Sequence, residues 1–325
     1  MFADRLLKWY AAAKRPMPWR LSPAPYACWL SEIMMQQTTY TAVLPYYERF
    51  LNKFPTVEFL AAAEESEVLK AWEGLGYYAR ARNLHKAARQ LCSTGSVRWP
   101  RGVAAWAEVP GIGPYTAAAL ASVLDGDQEP VVDGNVARVF ARYWCLEEDF
   151  HKLPARQQLA ERLRPVMVKA TKPFSLCRTA PGSASLPGDF NQAMMELGAL
   201  VCTPSTPRCG ECPLARECAA FKTGRQAEYP RKAARKELPI RKMTAIVVTD
   251  EKGRVLLVKN REGGLLKGLW ELPLVEPAGE QVQIFSHFRL ELTTLRAKEQ
   301  ATFQDPGVVP LSTSTRKVLV RCGLL

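Results

Sequence analysis

No stretch of this chain reaches the roughly 18 consecutive apolar residues that a membrane-spanning helix requires, so a bilayer-embedded protein is not expected. The first twenty residues, Met1 to Arg20, hold Asp4 and several Lys and Arg but no continuous apolar run. A secretory signal is therefore not expected either. The nine cysteines are odd in number and five of them are scattered, which argues against a disulfide framework. There is no internal repeat. Together these absences point to a reducing, soluble compartment. The chain is not short of apolar material: 47% of its 325 residues are hydrophobic, so a wholly disordered chain is excluded. The length suggests two domains or three.

Acidic residues are the minority charge. The 44 Lys and Arg against 32 Asp and Glu give +12, with an isoelectric point near 9.3. Such a balance is common in nucleic-acid binders, which release counterions from phosphates. By charge alone, a merely soluble basic protein stays open.

The first two-thirds reads as helices. Amphipathic stretches recur around Ala42 to Phe50, Ser66 to Trp72 and Ala79 to Leu91. Turn signals separate them at Asn52 to Pro55, Gly74 to Gly76 and Gly111 to Pro114. The stretch Thr171 to Gly188 is rich in Pro, Ser and Gly without periodicity and reads as an exposed loop. Beyond Cys218 the character changes. Arg231, Lys232, Arg235, Lys236, Arg241 and Lys242 crowd a segment broken by Pro230 and Pro239, a basic linker. Two β-branched runs, Thr244 to Thr249 and Arg254 to Val258, then flank Asp250 to Gly253 as a hairpin would.

Three patterns carry chemistry. Cys202, Cys209, Cys212 and Cys218 are spaced C-x6-C-x2-C-x5-C. Four soft thiolates on one short loop suit zinc or an iron–sulfur cluster. A single C-x2-C knuckle with longer flanks favours a [4Fe–4S] cluster. Second, Gly111 and Gly113 in VPGIGP (109–114) allow a tight interhelical turn whose following helix can present backbone N–H groups to a phosphate. Asp133, about twenty residues on in VVDGNV (131–136), reads equally as a helix N-cap or as a functional acid, and one aspartate can serve both. Third, Glu32 lies among large apolar neighbours in WLSEIMMQQT (29–38). Half-buried there, its carboxyl would be pushed upward and could donate a proton near neutral pH. A solvent-facing glutamate on an amphipathic helix is the alternative.

Taken together these segments resemble the adenine DNA glycosylases of the MutY type, in the helix-hairpin-helix, endonuclease III-like superfamily. The resemblance runs from about Pro18 to Cys218, with a weaker C-terminal part. It rests on PWR (18–20), SEIMMQQT (31–38), GLGYYARARNLHKAA (74–88), VPGIGPYTAAA (109–119), VVDGNVARV (131–139), FNQAMMELGALVCTP (190–204) and the four cysteines. It implies that Glu32 is the general acid protonating adenine at N7. Asp133 would stabilise the oxocarbenium-like sugar, with or without transient attachment, assisted by Tyr115 and Asn135. Trp19, Arg20 and Glu196 would form the pocket for the extruded adenine. Gln37 and Tyr77 would be pushed into the stack, with Thr38, Leu75 and Gly76 beside them at the DNA and Gly111 and Gly113 on its backbone. The cysteines would hold a [4Fe–4S] cluster with a structural, DNA-linked role. Bifunctional members of the superfamily carry lysine where this chain has Tyr115. No Schiff base is then available, and an abasic site is left uncut.

The C-terminal part is similar to the family's Nudix-like module through LLKGLWELP (265–273) and FSHF (285–288), where Ser286 and His287 match the loop that reads 8-oxoguanine. Only about a dozen residues separate the two pieces, so the module is shortened, and no acidic Nudix box of the REx2E type is present, so pyrophosphatase activity is not expected. The expected architecture is mainly α: a two-lobed helix-hairpin-helix glycosylase with a cluster loop over 1–225, then a basic linker over 226–242 and a small α+β Nudix-like module over 243–325. Within the glycosylase, one lobe is expected over about 22–125 and the other over 1–21 plus 126–225. The expected substrate is double-stranded DNA with adenine opposite 8-oxoguanine or guanine, bound by a monomer in the cytoplasm or, in a eukaryote, the nucleus. Two rivals remain: a related glycosylase for mismatched thymine or an oxidised pyrimidine, and a non-catalytic iron–sulfur DNA-binding protein.

Overall fold

The computed structural model describes residues 2–171, 185–231, 244–260, 266–275 and 301–325. Along them run helices α1 (Phe2–Ala13), α2 (Pro18–Leu21), α3 (Pro25–Met35), α4 (Tyr40–Lys53), α5 (Val57–Ala62), α6 (Glu65–Ala71), α7 (Ala79–Leu91), α8 (Gly102–Ala107), α9 (Pro114–Leu124), α10 (Gly134–Trp144), α11 (Leu153–Ala170), α12 (Leu186–Leu200) and α13 (Ala219–Lys222). The short strands β1 (Thr244–Ala245), β2 (Val255–Lys259), β3 (Trp270–Glu271), β4 (Leu274–Val275) and β5 (Thr302–Gln304) follow, and α14 (Thr313–Arg321) closes the chain. The fold is mainly helical with small antiparallel sheets. Among the described residues no helix is long and apolar enough to cross a membrane. Linker residues Lys232, Arg235, Lys236, Arg241 and Lys242, and both Ser286 and His287, lie outside the described residues.

By contacts the chain divides into two compact units, residues 1–36 with 94–235 and residues 37–93 with 236–325. The first is built on apolar stripes of α1, α10, α11 and α12. Leu6, Leu7 and Tyr10 meet Val136, Phe140, Leu163, Phe190, Met194 and Leu197 in one buried cluster. Phe2 packs its ring against Phe140, Tyr143 and Trp144. Ala117, Ala118, Ala119 and Ala121 of α9 are buried and small enough to let neighbouring backbones come close.

The stretch 171–188 does not stay irregular to its end. Ser185 caps α12, its hydroxyl accepting from the Gly188 N–H at 3.0 Å, and Pro187 occupies the first turn where its missing N–H costs nothing. A Pro-Gly pair thus reads as loop in sequence while serving as a helix start.

In the second unit, α7 follows its sequence pattern: Ala81, Leu84, Ala88 and Leu91 are buried at helical spacing. A capping box formed by Glu64 and Glu67 starts α6. The strand-containing module is cored by Val255, Leu257, Leu272, Leu311 and Leu319. The run 244–249, expected as one strand, is divided between partners. Thr244 and Ala245 pair with β4, whereas Thr249 bridges to Val255 across a turn whose Asp250 carboxylate accepts from the Lys252 and Arg254 N–H groups. β2 pairs antiparallel with both β3 and β5.

One glycine tests the packing of the first unit. A Cβ on Gly198 of α12 would lie 2.6 Å from the Asn135 Cβ and 2.9 Å from the Asn135 carbonyl oxygen in α10. Alanine in a helix interior is ordinarily stabilising relative to glycine. Here Gly198→Ala is expected to destabilise by ~1–3 kcal/mol through overpacking. Thermal unfolding checks it, and an unchanged or raised midpoint would contradict the close approach.

Candidate active site

Glu32 is carried by α3. Pro25 opens that helix, and Trp29, Leu30, Ile33 and Met34 are buried around the glutamate, which is itself half-buried. Burial pushes its carboxyl up to about 7. The nearby Arg20 charge opposes the shift, and the Asp133 charge adds to it.

Asp133 arrives from another direction. Val131 and Val132 are buried, and the Asn191 side chain fixes the segment before the aspartate by accepting from the Val131 N–H at 3.0 Å and donating to the Glu129 carbonyl at 2.9 Å. Asp133 is the N-cap of α10, one of the two readings of its position. Its carboxylate accepts from the Val136 N–H at 2.7 Å and from the Asn135 amide at 2.8 Å. Arg138 donates in turn to the Asn135 oxygen at 2.8 Å and to the Cys202 carbonyl at 2.8 Å. Burial raises the Asp133 carboxyl, while the Val136 and Asn135 donors and the Arg138 charge pull against it.

Tyr115, in the first turn of α9, lies between these acids electrostatically. Burial, then the charges of Glu32 and Asp133, raise its phenol well above the ordinary range. Its hydroxyl meets the Met195 sulfur at 3.0 Å. Glu32, Tyr115 and Asp133 therefore form one mutually interacting group within the first unit.

A second buried acid borders the group. Burial alone would push Glu196 of α12 upward, but Arg15 and Arg20 outweigh it and hold the carboxyl down at about 2. Arg15 donates through its backbone N–H at 3.0 Å and through two guanidinium nitrogens at 2.7 and 2.9 Å; Arg20 donates at 3.1 Å. The Arg20 Nη1 is buried without a hydrogen-bond partner among the described residues. Trp19 is buried beside it, and a cleft lined by Tyr10, Trp19, Arg20, Asp189 and Gln192 opens there. Sequence reasoning missed Arg15 and Arg138. Their partners lie 181 and 64 residues away, so no local pattern announces them.

The remaining residues expected at DNA are all placed. Gly111 has φ 81°, a backbone only glycine adopts freely. Gly113 is exposed, with open space where a Cβ would stand. In the second unit, Gln37 and Tyr77 are exposed and hold left-handed φ of 57° and 47°, strained for non-glycine residues. Arg80, also missed from sequence, joins their loops by donating to the Thr38 hydroxyl at 3.4 Å and to the Leu75 and Gly76 carbonyls at 3.3 Å each.

Cys202, Cys209, Cys212 and Cys218 line one cavity with Arg142, Tyr143 and Leu214. Burial, opposed by a hydrogen bond from the Leu214 backbone and reinforced by the charges of the other three sulfurs, pushes Cys212 up to about 11. Buried Arg142 has no carboxylate partner among the described residues. It donates to the Thr203, Pro204 and Tyr229 carbonyls and reaches the Cys202 sulfur at 3.4 Å. No group of three His, Cys, Asp or Glu side chains among the described residues converges as one metal ion requires. Four cysteine side chains lining one cavity are the donor type that a four-iron cluster, with one thiolate per iron, would require.

Comparison with known proteins follows this geometry. The family described as "HhH-GPD superfamily base excision DNA repair protein" matches residues 30–165. Human adenine DNA glycosylase is 35% identical over 338 residues, covering 87% of this chain and 59% of that protein. The rat protein of the same name is 34% identical over 352 residues, covering 90% and 65%. This chain thus spans less than two thirds of those mammalian relatives. Adenine DNA glycosylase of Buchnera aphidicola subsp. Schizaphis graminum is 31% identical over 274 residues, covering 84% of this chain and 74% of its own length. Among solved structures, a thermostable thymine-DNA glycosylase superposes with a TM-score of 0.56 at 28% identity, over 68% of this chain and 95% of that one. An endonuclease III–DNA complex superposes with 0.51 at 21% identity, over 68% and 94%, and shows the shared fold. Because relatives of one name match across most of both chains, and the family motifs meet in one interacting group of acids, the chain belongs to the adenine DNA glycosylase family within the HhH-GPD superfamily.

Proposed function

We propose that this protein hydrolyses the N-glycosidic bond of adenine opposite 8-oxoguanine or guanine in duplex DNA, leaving an abasic site uncut. The observation that carries the reading is the electrostatic linkage of Glu32, Tyr115 and Asp133, with Glu32 raised to about 7. A purine leaves readily once its N7 is protonated, and the sugar left behind carries positive charge. One carboxyl must keep its proton and the other must be ionised. Among the described residues no hydrogen bond offsets burial at Glu32, whereas Asp133 has an N–H, an amide and the positive end of α10 directed at its charge. Glu32 therefore donates to N7 as the C1′–N9 bond breaks, Asp133 faces the sugar, and water adds at C1′ and passes its proton to the Glu32 carboxylate, which restores the acid.

The pocket for the flipped base is supplied by Trp19, Arg20 and Glu196. Arg15 and Arg20 keep Glu196 ionised as an acceptor for the exocyclic amine of adenine, and the unpartnered Arg20 Nη1 is a donor for a ring nitrogen. Glu196 and Arg20 thus accept and donate as adenine requires, and thymine, whose O4 accepts and whose N3–H donates, would leave them unpaired. Extrusion costs a few kcal/mol, on the order of what an inserted side chain returns by refilling the stack. Exposed Tyr77 and Gln37 fill that role, with Gly111 and Gly113 on the phosphates and positive surface charge holding the backbone. The four cysteines hold a [4Fe–4S] cluster, which braces the loop that Arg138 ties to Asn135. Ser286 and His287 belong to the reading of 8-oxoguanine. The protein acts as a monomer.

Glu32→Gln is expected to remove excision from an A:8-oxoguanine duplex in single-turnover assays while leaving duplex affinity within a factor of about three, since no phosphate contact is lost; undiminished turnover would contradict the assignment. In the parent protein the required form of Glu32 is protonated below about 7 and lost above it. The single-turnover rate should fall about tenfold per pH unit beyond that point. A carboxyl raised in the fold destabilises the folded state as pH rises through 4.5 to 7, so Glu32→Gln should also melt higher than the parent at pH 8.

Because Tyr115 offers no amine, borohydride added during turnover is expected to trap no protein–DNA adduct; trapping in proportion to turnover would contradict hydrolysis without strand cleavage. Cys212→Ser should lose iron from about four atoms per chain and the visible absorbance with it. Iron content unchanged by that substitution would place the metal elsewhere.

A further inference from the structure

The loop carrying Tyr77 is bracketed by two buried residues that face the same backbone unit of the C-terminal module. Glu73 stands just before the loop and Tyr78 just after it. The Glu73 carboxylate accepts from the Leu311 N–H at 3.2 Å, and the Tyr78 hydroxyl donates to the Leu311 carbonyl at 3.0 Å. The peptide groups on both sides of Leu311 are therefore held by side chains on either side of one four-residue loop. The Glu73 side chain is only 4% exposed and is further pinned by Lys70 at 3.0 Å and Arg316 at 2.7 Å. Lys70 itself donates to the Pro306 and Val309 carbonyls at 3.2 and 3.0 Å.

Leu311 is not a loose tail. Its neighbours are stitched to β3: Trp270 donates to the Pro310 carbonyl at 2.8 Å, and Ser312 donates to the Trp270 carbonyl at 3.1 Å. A second seam runs alongside. Gly268, at φ 81°, lies so near Leu69 that a Cβ would come within 3.1 Å of its Cδ1, and Arg82 donates to the Lys267 carbonyl at 2.8 Å. The GLW turn and the Leu311 segment thus both dock on the helices that flank the Tyr77 loop. Between those clamps, Gly74, Gly76 and Tyr77 all have positive φ. Such a backbone persists in a non-glycine residue only where its surroundings over-determine it.

We propose that Glu73 and Tyr78 are positioning residues that lock the C-terminal module to the Gly74–Tyr77 loop, so that the module sets the pose in which Tyr77 enters the duplex. The idea rests on reading Tyr77 as the inserted side chain. Its consequence is that engagement of the opposing base by the module and insertion of Tyr77 are a single event. A module held only by the linker could bind DNA without moving the wedge; one held through Leu311 cannot.

The test is a double-mutant cycle in the full chain, using Tyr78→Phe with Tyr77→Ala and, in parallel, Glu73→Gln with Tyr77→Ala. The readouts are single-turnover excision from an A:8-oxoguanine duplex and fluorescence of a 2-aminopurine placed beside the mispair, which rises as that base loses its stacking partner. Tyr78→Phe removes one buried hydrogen bond and should slow excision roughly three- to tenfold while changing the fluorescence. The same substitution added to Tyr77→Ala should cost nothing more, because its effect passes through Tyr77. Equal losses in both backgrounds would overturn the proposal and leave the wedge reading intact. A Tyr77→Ala protein with parental excision and fluorescence would overturn the wedge reading itself. Glu73→Gln keeps the side-chain size and an acceptor for Leu311 while discarding the charge, so the cycle can still be completed if Tyr78→Phe unfolds.

Discussion

Two carboxyl groups that feel each other's charge in a place largely closed to water cannot both be ionised cheaply. The first unit resolves this by giving every stabilising donor to one of them. Asp133 sits at a helix start with the Val136 N–H and the Asn135 amide directed at it, while Glu32 has apolar neighbours and, among the described residues, no hydrogen bond to offset its burial. The donors at Asp133 therefore favour leaving the proton on Glu32. The rest of the first unit serves this asymmetry. Asn191 fixes the approach to Asp133, Arg138 orients Asn135, and Gly198 lets α12 come close enough to α10 to hold both.

The third acid shows the opposite solution. Glu196 is buried, yet two arginines keep it ionised at about 2. Neighbours therefore pull the three carboxyl groups of one unit differently: burial raises Glu32 and Asp133, and two arginines hold Glu196 low. An unpaired buried charge is expensive, and a desolvated glutamate is a standing cost to folding.

Much of the scaffold was legible because its signals are local. The spacing of Ala81, Leu84, Ala88 and Leu91 gave α7 its bounds, and the VVDGNV pattern marked a helix start that α10 occupies. The four cysteines, dense in sequence, gather at one cavity. What escaped depends on long-range encounter. Arg15 and Arg138 look like ordinary surface charges until the chain brings Glu196 and the Cys202 carbonyl to them. Ser185-Leu-Pro-Gly188 reads as loop, because the same residue types open helices and break them. The run from Thr244 to Thr249 looks like one strand, but its two ends find different partners. Nothing in the GLGYYARAR motif reveals that Glu73 and Tyr78 would close on Leu311, since the partner lies more than two hundred residues on.

The most direct measurement is a titration of the site carboxyls by carbon-detected NMR of protein labelled at the glutamate and aspartate side-chain carbons, with Glu32→Gln and Asp133→Asn used to assign the signals. The account predicts that the Glu32 signal moves with a midpoint near 7 and that Asp133 is already ionised where Glu32 is still protonated. It predicts further that Asp133→Asn lowers the Glu32 midpoint, because a neighbouring negative charge has gone. A Glu32 signal that titrates near 4.5, or an Asp133 that keeps its proton while Glu32 gives its own up, would contradict it.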